Sequence, residues 1–224
     1  MPRTPSSAPP TAQGLLLDIG GVVLRGGPML VRVLADEEPG LRKAVDRLAV
    51  ATERDELWQR MLRQEVSERA YWAGVAAELG AAIGEDWDTR TMITKMYDRP
   101  AEEWLNDAVV DLMVDTGKAG LPLGALTNDL ADFHGQEWVA RQRWLDHFDV
   151  IVDASHTGVL KPDPRAFKAG AEALGLHTGE IVYLDDMPWN VAGGAAAGLQ
   201  AIAVDHTDPW PAAVEARRRL GLAA

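Results

Sequence analysis

Leu15-Leu16-Leu17-Asp18-Ile19-Gly20-Gly21-Val22-Val23 reads as a buried strand that ends on an aspartate and turns at once through two glycines. An apolar run without alternation suits a strand covered on both faces, as in a parallel sheet. Short apolar runs recur at 121–126, 150–152, 181–184 and 201–204. Helical patterns separate most of these later runs, at 129–145, 164–174 and 188–197. Pro164 stands at a first-turn position and Gly175 suits a C-cap; Gly198 plays the same part after the third pattern. A last amphipathic helix is expected over 211–220, with Arg217-Arg218-Arg219 at its end, where cations oppose the helix dipole favourably. Strands alternating with helices imply right-handed crossovers, hence an α/β fold with a parallel sheet and helices on both faces.

The stretch 31–100 is different: it has helical periodicity and no convincing strand. Leu41, Val45, Leu48 and Ala49 form one apolar face, and Leu57, Met61 and Leu62 another. Tyr71, Trp72, Val75, Ala76 and Leu79 form a third, which Gly80 and Gly84 are expected to interrupt. The organisation expected is therefore a flexible tail over 1–13, a sheet-bearing core made of 14–30 and 101–224, and a helical insert over 31–100.

The chain has 224 residues, 47% of them hydrophobic, which suffices for a sizeable core. Its formal net charge of -12 would repel a nucleic-acid backbone, so DNA and RNA are not expected partners. No stretch approaches the ~20 apolar residues that span a bilayer. Residues 1–13 lack the apolar centre of a secretory signal, and the chain has no cysteine, which fits a reducing compartment. A cytoplasmic protein without a membrane partner is expected.

Four islands at strand ends carry the chemistry: Asp18 with Gly20-Gly21, Thr127-Asn128, Lys161-Pro162-Asp163-Pro164, and Asp185-Asp186-Met187-Pro188-Trp189-Asn190. Ligands of open parallel sheets bind beyond the carboxyl ends of the strands, so these islands can converge. Together they supply what phosphoryl transfer through an aspartate requires. Asp18 is a carboxylate nucleophile able to form an aspartyl-phosphate. Thr127 and Asn128 offer hydroxyl, amide and backbone donors for phosphate oxygens. Gly21 lets the backbone come close to that phosphate. Lys161, stiffened by two prolines, supplies a compact cation. Asp185 and Asp186 repel each other, and a divalent cation relieves that; Mg²⁺ suits an all-oxygen site. Asp18 and the Gly20 carbonyl would complete the set, and Asn190 stands behind it as a supporting partner. Taken singly, each island also has a plainer reading: a turn-capping Asp18, a Thr-Asn turn, a surface Lys161, a helix start at the acidic pair.

In their order and strand context, the islands resemble the haloacid dehalogenase-like hydrolase superfamily over nearly the whole chain after the tail. The run from Asp185 to Asn190, continuing through Ala195-Ala196-Ala197-Gly198-Leu199, is the most specific part. The resemblance implies a Rossmann-like core, Mg²⁺ dependence, Asp18 as nucleophile, Thr127 and Lys161 on the phosphate, and acidic metal ligands at Asp185 and Asp186. It also implies that 31–100 is a helical cap that sets specificity.

One position departs from the pattern. Most phosphatases of the superfamily carry a second aspartate two residues after the nucleophile, as general acid and base; here Gly20 stands there. The chain is in this respect similar to sugar-phosphate phosphatases whose first motif is Asp-x-Gly-(Gly/Asn)-Val. A phosphatase of a small phosphorylated metabolite, a sugar phosphate among the candidates, is the expectation. A catalytically weak phosphate-ligand-binding or regulatory protein is the alternative, and a 2-haloacid dehalogenase a further one. His134 and His156, near the motif loops, could supply a leaving-group proton, the plainer reading being surface histidines; Arg25 could contact a carboxylate or phosphate, the plainer reading being a surface arginine. The aromatic residues Trp58, Tyr71, Trp72 and Trp87 are expected in the packing of the insert. Asp86 and Asp88 belong to a solvated acidic rim. Monomer and homodimer both fit the chain.

Overall fold

The computed structural model describes residues 11–223. They form two compact units. One comprises the residues up to Arg25, Leu105–Ala131 and those from Gln136 onward; the other comprises Gly26–Trp104 with Asp132–Gly135. The first unit is built on five strands: β1 Gly14–Leu17, β2 Leu123–Thr127, β3 Val150–Asp153, β4 Ile181–Asp185 and β5 Gln200–Ala203. All four pairings are parallel, in the order β3-β2-β1-β4-β5, which is a Rossmann-like α/β sheet. Every residue of β1, β2 and β4 is buried, which explains why these strands read as unbroken apolar runs.

The second unit is helical: α1 Gly27–Glu37, α2 Pro39–Leu48, α3 Glu56–Leu62, α4 Glu68–Ala82 and α5 Thr89–Met96. Ser67 starts α4 by accepting from the Ala70 N–H. The helix then buries Tyr71, Trp72, Val75, Ala76 and Leu79 along one face. Trp87 is buried and Trp58 half-buried, with the Trp58 ring edge-on to Tyr71 at 5.1 Å. Three expectations are corrected. Gly80 does not interrupt α4: a Cβ there would stand 2.8 Å from the Glu85 carbonyl and the Trp87 nitrogen, so the glycine admits the returning chain. Leu62 is exposed, while its neighbour Met61 is buried. Leu48 is only half-buried, and Ala49 ends α2 in the left-handed region. Asp86 and Asp88 are exposed as expected, and Asp88 starts α5 by accepting from the Thr91 N–H.

The remaining helices are α6 Asp107–Lys118, α7 Leu130–His134, α8 Gln136–Val139, α9 Ala154–Thr157, α10 Pro164–Leu174, α11 Pro188–Ala196 and α12 Trp210–Leu220. α10 and α11 cover one face of the sheet, and α6 with α12 covers the other. Phe167 of α10 packs with Leu16, Leu126 and Tyr183 in one buried cluster. A Cβ at Gly194 would stand 2.6 Å from the Tyr183 ring, so that glycine lets α11 lie close on β4. The helix expected over 129–145 is broken: Gly135, at φ +82, separates α7 from α8, and a 3-10 turn follows at Arg143–His147. α11 ends one residue earlier than expected, and Gly198 turns the chain at φ +96. Of the tail expected over 1–13, residues 1–10 lie outside the described residues. The next three are tied down: Thr11 and Ala12 donate to the Arg219 carbonyl and Gln13 to the Glu180 carbonyl. Among the described residues, no helix is long and apolar enough to cross a membrane.

His134 is not a plain surface histidine. It is half-buried in the helical unit, edge-on to Tyr97 at 4.7 Å. Burial pushes its imidazole down to about 3 from 6.5. Between those values the unfolded chain binds a proton that the folded unit refuses, so stability falls as pH drops through that window. Thermal denaturation across it is expected to show a steeper loss for the wild type than for His134→Gln. Parallel curves would contradict this.

Candidate active site

β1 and β4 pair in register, Leu17 opposite Leu184. One residue further, the Asp18 N–H donates to the Leu184 carbonyl at 2.9 Å, which places Asp18 beside Asp185. Both side chains follow the pleat onto the face that carries Leu16 and Tyr183. Asp18 is 8% exposed and Asp185 is fully buried. Thr127, buried, ends β2 on the other side of β1.

Two carboxylates side by side in a buried place need a cation, and Lys161 provides it. Its side chain is 1% exposed; Nζ lies 2.9 Å from Asp18 Oδ1 and 2.6 Å from Asp185 Oδ2. Burial opposes the ammonium, but the two carboxylates outweigh it and raise the lysine above its ordinary value. Lys161 is therefore charged, and the plain surface lysine is ruled out. Asn128 fixes the backbone at this point: the Lys161 N–H donates to Asn128 Oδ1 at 2.8 Å, and Asn128 Nδ2 donates to the Lys161 carbonyl at 3.2 Å. The Asn128 amide, expected at phosphate oxygens, is thus engaged in placing the lysine. Asp18 also accepts from the Ile19 N–H at 2.7 Å. Burial still pushes its carboxyl up to about 7, against the pull of Lys161.

Asp185 is held from every side. Its Oδ2 accepts from Lys161 and from the Tyr183 hydroxyl, and its Oδ1 accepts from the Met187 N–H at 2.8 Å and from Asn190 Nδ2 at 3.2 Å. A carboxylate has about four acceptor sites, and these donors use them. Burial and then the Asp185 charge raise the Tyr183 phenol well above its ordinary value, so it remains a donor.

Ligand oxygens of Asp18, Asp185 and Asp186 all lie within 4.8 Å of one another. Lys161 pairs with two of these three carboxylates, and every donor of the cluster is a hard oxygen, which fits Mg²⁺. The turn at Gly21 makes the room: its φ is +74, and a Cβ there would stand 2.1 Å from Asp186 Oδ2. Gly20, by contrast, is exposed at φ -66 and ψ 131, and a Cβ there would meet nothing within 4 Å. Asp185 enters this cluster with its oxygens engaged, while Asp186 is half-buried at the rim.

Other residues named from sequence lie apart from this cluster. His156 is exposed on α9, 3.9 Å from Asp153. Arg25 spends its Nε on the Leu105 carbonyl, so it ties chain segments together. Three supporting residues escaped the sequence reading. Tyr183 was legible, since alternation along β4 puts it on the face of Asp185. Asp153, the last residue of β3, was legible as one more acid at a strand end; it accepts from the Ala131 and Ser155 N–H groups, bracing the segment after Thr127. Asn106, whose Nδ2 donates to the Val22 carbonyl at 2.6 Å and steadies the loop after Asp18, left no signal.

A family model described as haloacid dehalogenase-like hydrolase matches residues 12–198. A phosphatase of Mycobacterium tuberculosis is 36% identical over 90 residues, 40% of this chain and 42% of that protein. The chain thus spans less than half the length of that relative. The phosphoglycolate phosphatase of Yersinia pseudotuberculosis is 27% identical over 199 residues, 87% of this chain and 81% of that protein. Among solved structures, the L-2-haloacid dehalogenase of Xanthobacter autotrophicus superposes with a TM-score of 0.57 at 18% identity, covering 86% of this chain and 77% of that one, a likeness of fold.

The two adjacent glycines should respond oppositely to a methyl group. Gly21→Ala forces a left-handed alanine against Asp186 and is expected to cost at least about 1–3 kcal/mol. Gly20→Ala, in a conformation open to any residue, is expected to be neutral or to stabilise by about 0.4–1 kcal/mol. Chemical denaturation of both variants checks this; equal effects would contradict it.

Proposed function

Because this chain belongs to the haloacid dehalogenase-like hydrolase family, we propose that it is a phosphatase of a small phosphorylated metabolite and works through a phosphorylated Asp18. The observation that carries the reading is the Lys161 ammonium bonded to Asp18 within a cluster of three carboxylates. A carboxylate held this way is aimed, and partial neutralisation lets a phosphate dianion approach it.

In this reading Asp18 attacks phosphorus and the ester bond breaks. Thr127 and Lys161 hold the equatorial oxygens as charge spreads over them, and the close approach of the backbone at Gly21 contributes to that cradle. Asp185 keeps Lys161 in place and is itself kept there by Tyr183 and Asn190. Water then displaces Asp18 from phosphorus. Mg²⁺ is the fitting cofactor, with Asp18, Asp186 and the Gly20 carbonyl as residues to hold it, and Asp185 on condition that it gives up one of the donors that now engage its oxygens; the ion would neutralise phosphate charge and bring the dianion to the nucleophile. The segment 31–100 is assigned the role of a specificity-setting cap. The protein is assigned to the cytoplasm, with no nucleic-acid or membrane partner.

A second reading draws on Gly20: a protein that binds a phosphorylated ligand without turning it over. The aspartate-based attack on carbon of a 2-haloacid has less support, since the first motif carries Gly20-Gly21-Val22.

Phosphate release from a panel of phosphate esters is expected to need both Asp18 and a divalent cation. Asp18→Asn should abolish release, and a chelator should abolish it reversibly. Undiminished turnover by Asp18→Asn would sink the proposal. Ligand binding without release by the folded wild type would favour the second reading.

A further inference from the structure

A cavity of about 530 Å³ opens within the helical unit, between α1, α2 and the segment 49–54 that follows α2. Its lining residues all belong to that unit, and none comes from the four islands at the strand ends. The volume suits a small metabolite. The apolar lining, Ala35, Val45 and Val50, is buried, while the charged lining is exposed, so the cavity has a dry floor and a wet rim. Arg32, Arg42 and Arg54 stand there against Asp36 and Asp46. Arg42 is taken by its ion-pair partner Asp36. Arg32 Nη2 donates to the Val50 carbonyl at 2.9 Å, which fixes the guanidinium and leaves the rest of its fork for a ligand. Arg54 is exposed and makes no ion pair among the described residues. Arg32 and Arg54 are then opposed by Asp46 alone, so the rim is positive on a chain whose formal net charge is -12. A cleft with a local excess of one sign concentrates ions of the other.

The segment that closes this cavity is held in an unfavourable conformation. Ala49 and Ala51 both stand in the left-handed region, at φ 50 and 55, where a Cβ is disfavoured. A buried pair over-determines the turn. The Ala51 N–H donates to Asp55 Oδ2 at 2.9 Å and to the Tyr71 hydroxyl at 3.1 Å, and that hydroxyl donates to the same Asp55 oxygen at 2.8 Å. Asp55 Oδ1 accepts from the Trp58 N–H at 3.0 Å, which anchors the pair to α3. Backbone strain maintained in this way collects at ligand sites. Here it turns the chain so that the Val50 carbonyl meets Arg32, and Thr52 and Arg54 come to the cavity.

We propose that this cavity binds a small carboxylate with an apolar body. Arg32 and Arg54 are the cations that receive the carboxylate, and Ala35, Val45 and Val50 take the hydrocarbon. A guanidinium fork matches the two oxygens of a carboxylate. A phosphate dianion fits less well, since its second charge exceeds the positive surplus and meets Asp46. The site uses none of Asp18, Lys161, Asp185 and Asp186, so it stands or falls apart from the phosphatase reading.

The test is an NMR titration of the isotope-labelled full chain with benzoate, acetate and inorganic phosphate, at an ionic strength held constant with chloride. Benzoate is expected to bind saturably, to move amide signals of the segment 49–54, and to bind about 10-fold or more tighter than acetate, whose apolar part is smaller. Phosphate should bind these residues more weakly than benzoate. Arg54→Ala should weaken benzoate by about 10-fold or more, as the loss of a charge-assisted bond does. Asp46→Asn removes the opposing charge and should tighten it by about 2-fold or more, a change of opposite sign that reads the site whether or not Arg54→Ala folds. Arg47→Ala, on α2 but outside the lining, and Asp18→Asn should leave benzoate binding unchanged. A response that does not saturate, that survives Arg54→Ala, or that falls equally in Arg47→Ala overturns the proposal and leaves the phosphatase reading standing. Phosphate bound at 49–54 as tightly as benzoate overturns the carboxylate assignment.

Discussion

The Lys161 ammonium, shared between Asp18 and Asp185, is the interaction on which the site depends. A parallel register brings two carboxylates together at the ends of β1 and β4, where there is little water to screen them. Without a cation between them, one would have to take up a proton, and a protonated Asp18 is no nucleophile. Burial pushes Asp18 up even against the pull of the lysine. Much of the surrounding structure serves this one contact. Asn128 clamps the lysine's backbone from the end of β2, and Tyr183, Asn190 and the Met187 N–H saturate Asp185 so that it stays where the lysine needs it.

That arrangement divides the acidic residues by role. Asp185 is enclosed and spends its oxygens on the protein's own donors. Asp186, the first residue after β4, comes to the rim, where the bare Cα of Gly21 leaves it room. Adjacent aspartates of the same chemistry thereby become a structural anchor and a rim carboxylate next to Asp18. The glycine pair is divided in the same manner, one residue demanded by sterics and the other standing in open space.

The sheet was legible because β1, β2 and β4 are buried throughout and so lack polar interruption. The convergence of Asp18 and the acidic pair was legible because each follows such a run; Lys161, expected at a strand end, instead lies past β3 and α9, and the loop that carries it brings it back to the two carboxylates. What escaped was set by tertiary contact. Whether Asn128 faces a ligand or the Lys161 backbone depends on how the loop carrying Lys161 returns to β2, and no local pattern encodes that. The break at Gly135 was hidden because apolar spacing continues across it, and a single glycine within a helical pattern does not reveal its φ. Gly80 was misread in the opposite sense: the closeness of Glu85 and Trp87, and not a helix end, selects it. His134 shows the same limit, since its burial comes from Tyr97, far away in sequence. Tyr183 is the instructive omission, for period-two alternation along Ile181–Asp185 already placed its hydroxyl on the face of the key carboxylate.

The most direct measurement is acid-quenched single turnover with an aryl phosphate, followed by peptide mapping by mass spectrometry. The account predicts a transient phosphoryl group on the peptide containing Asp18, lost on the timescale of turnover and absent in Asp18→Asn. A phosphoryl group on another residue, or phosphate release in its entirety without any modification of Asp18 at the earliest resolvable times, would contradict it.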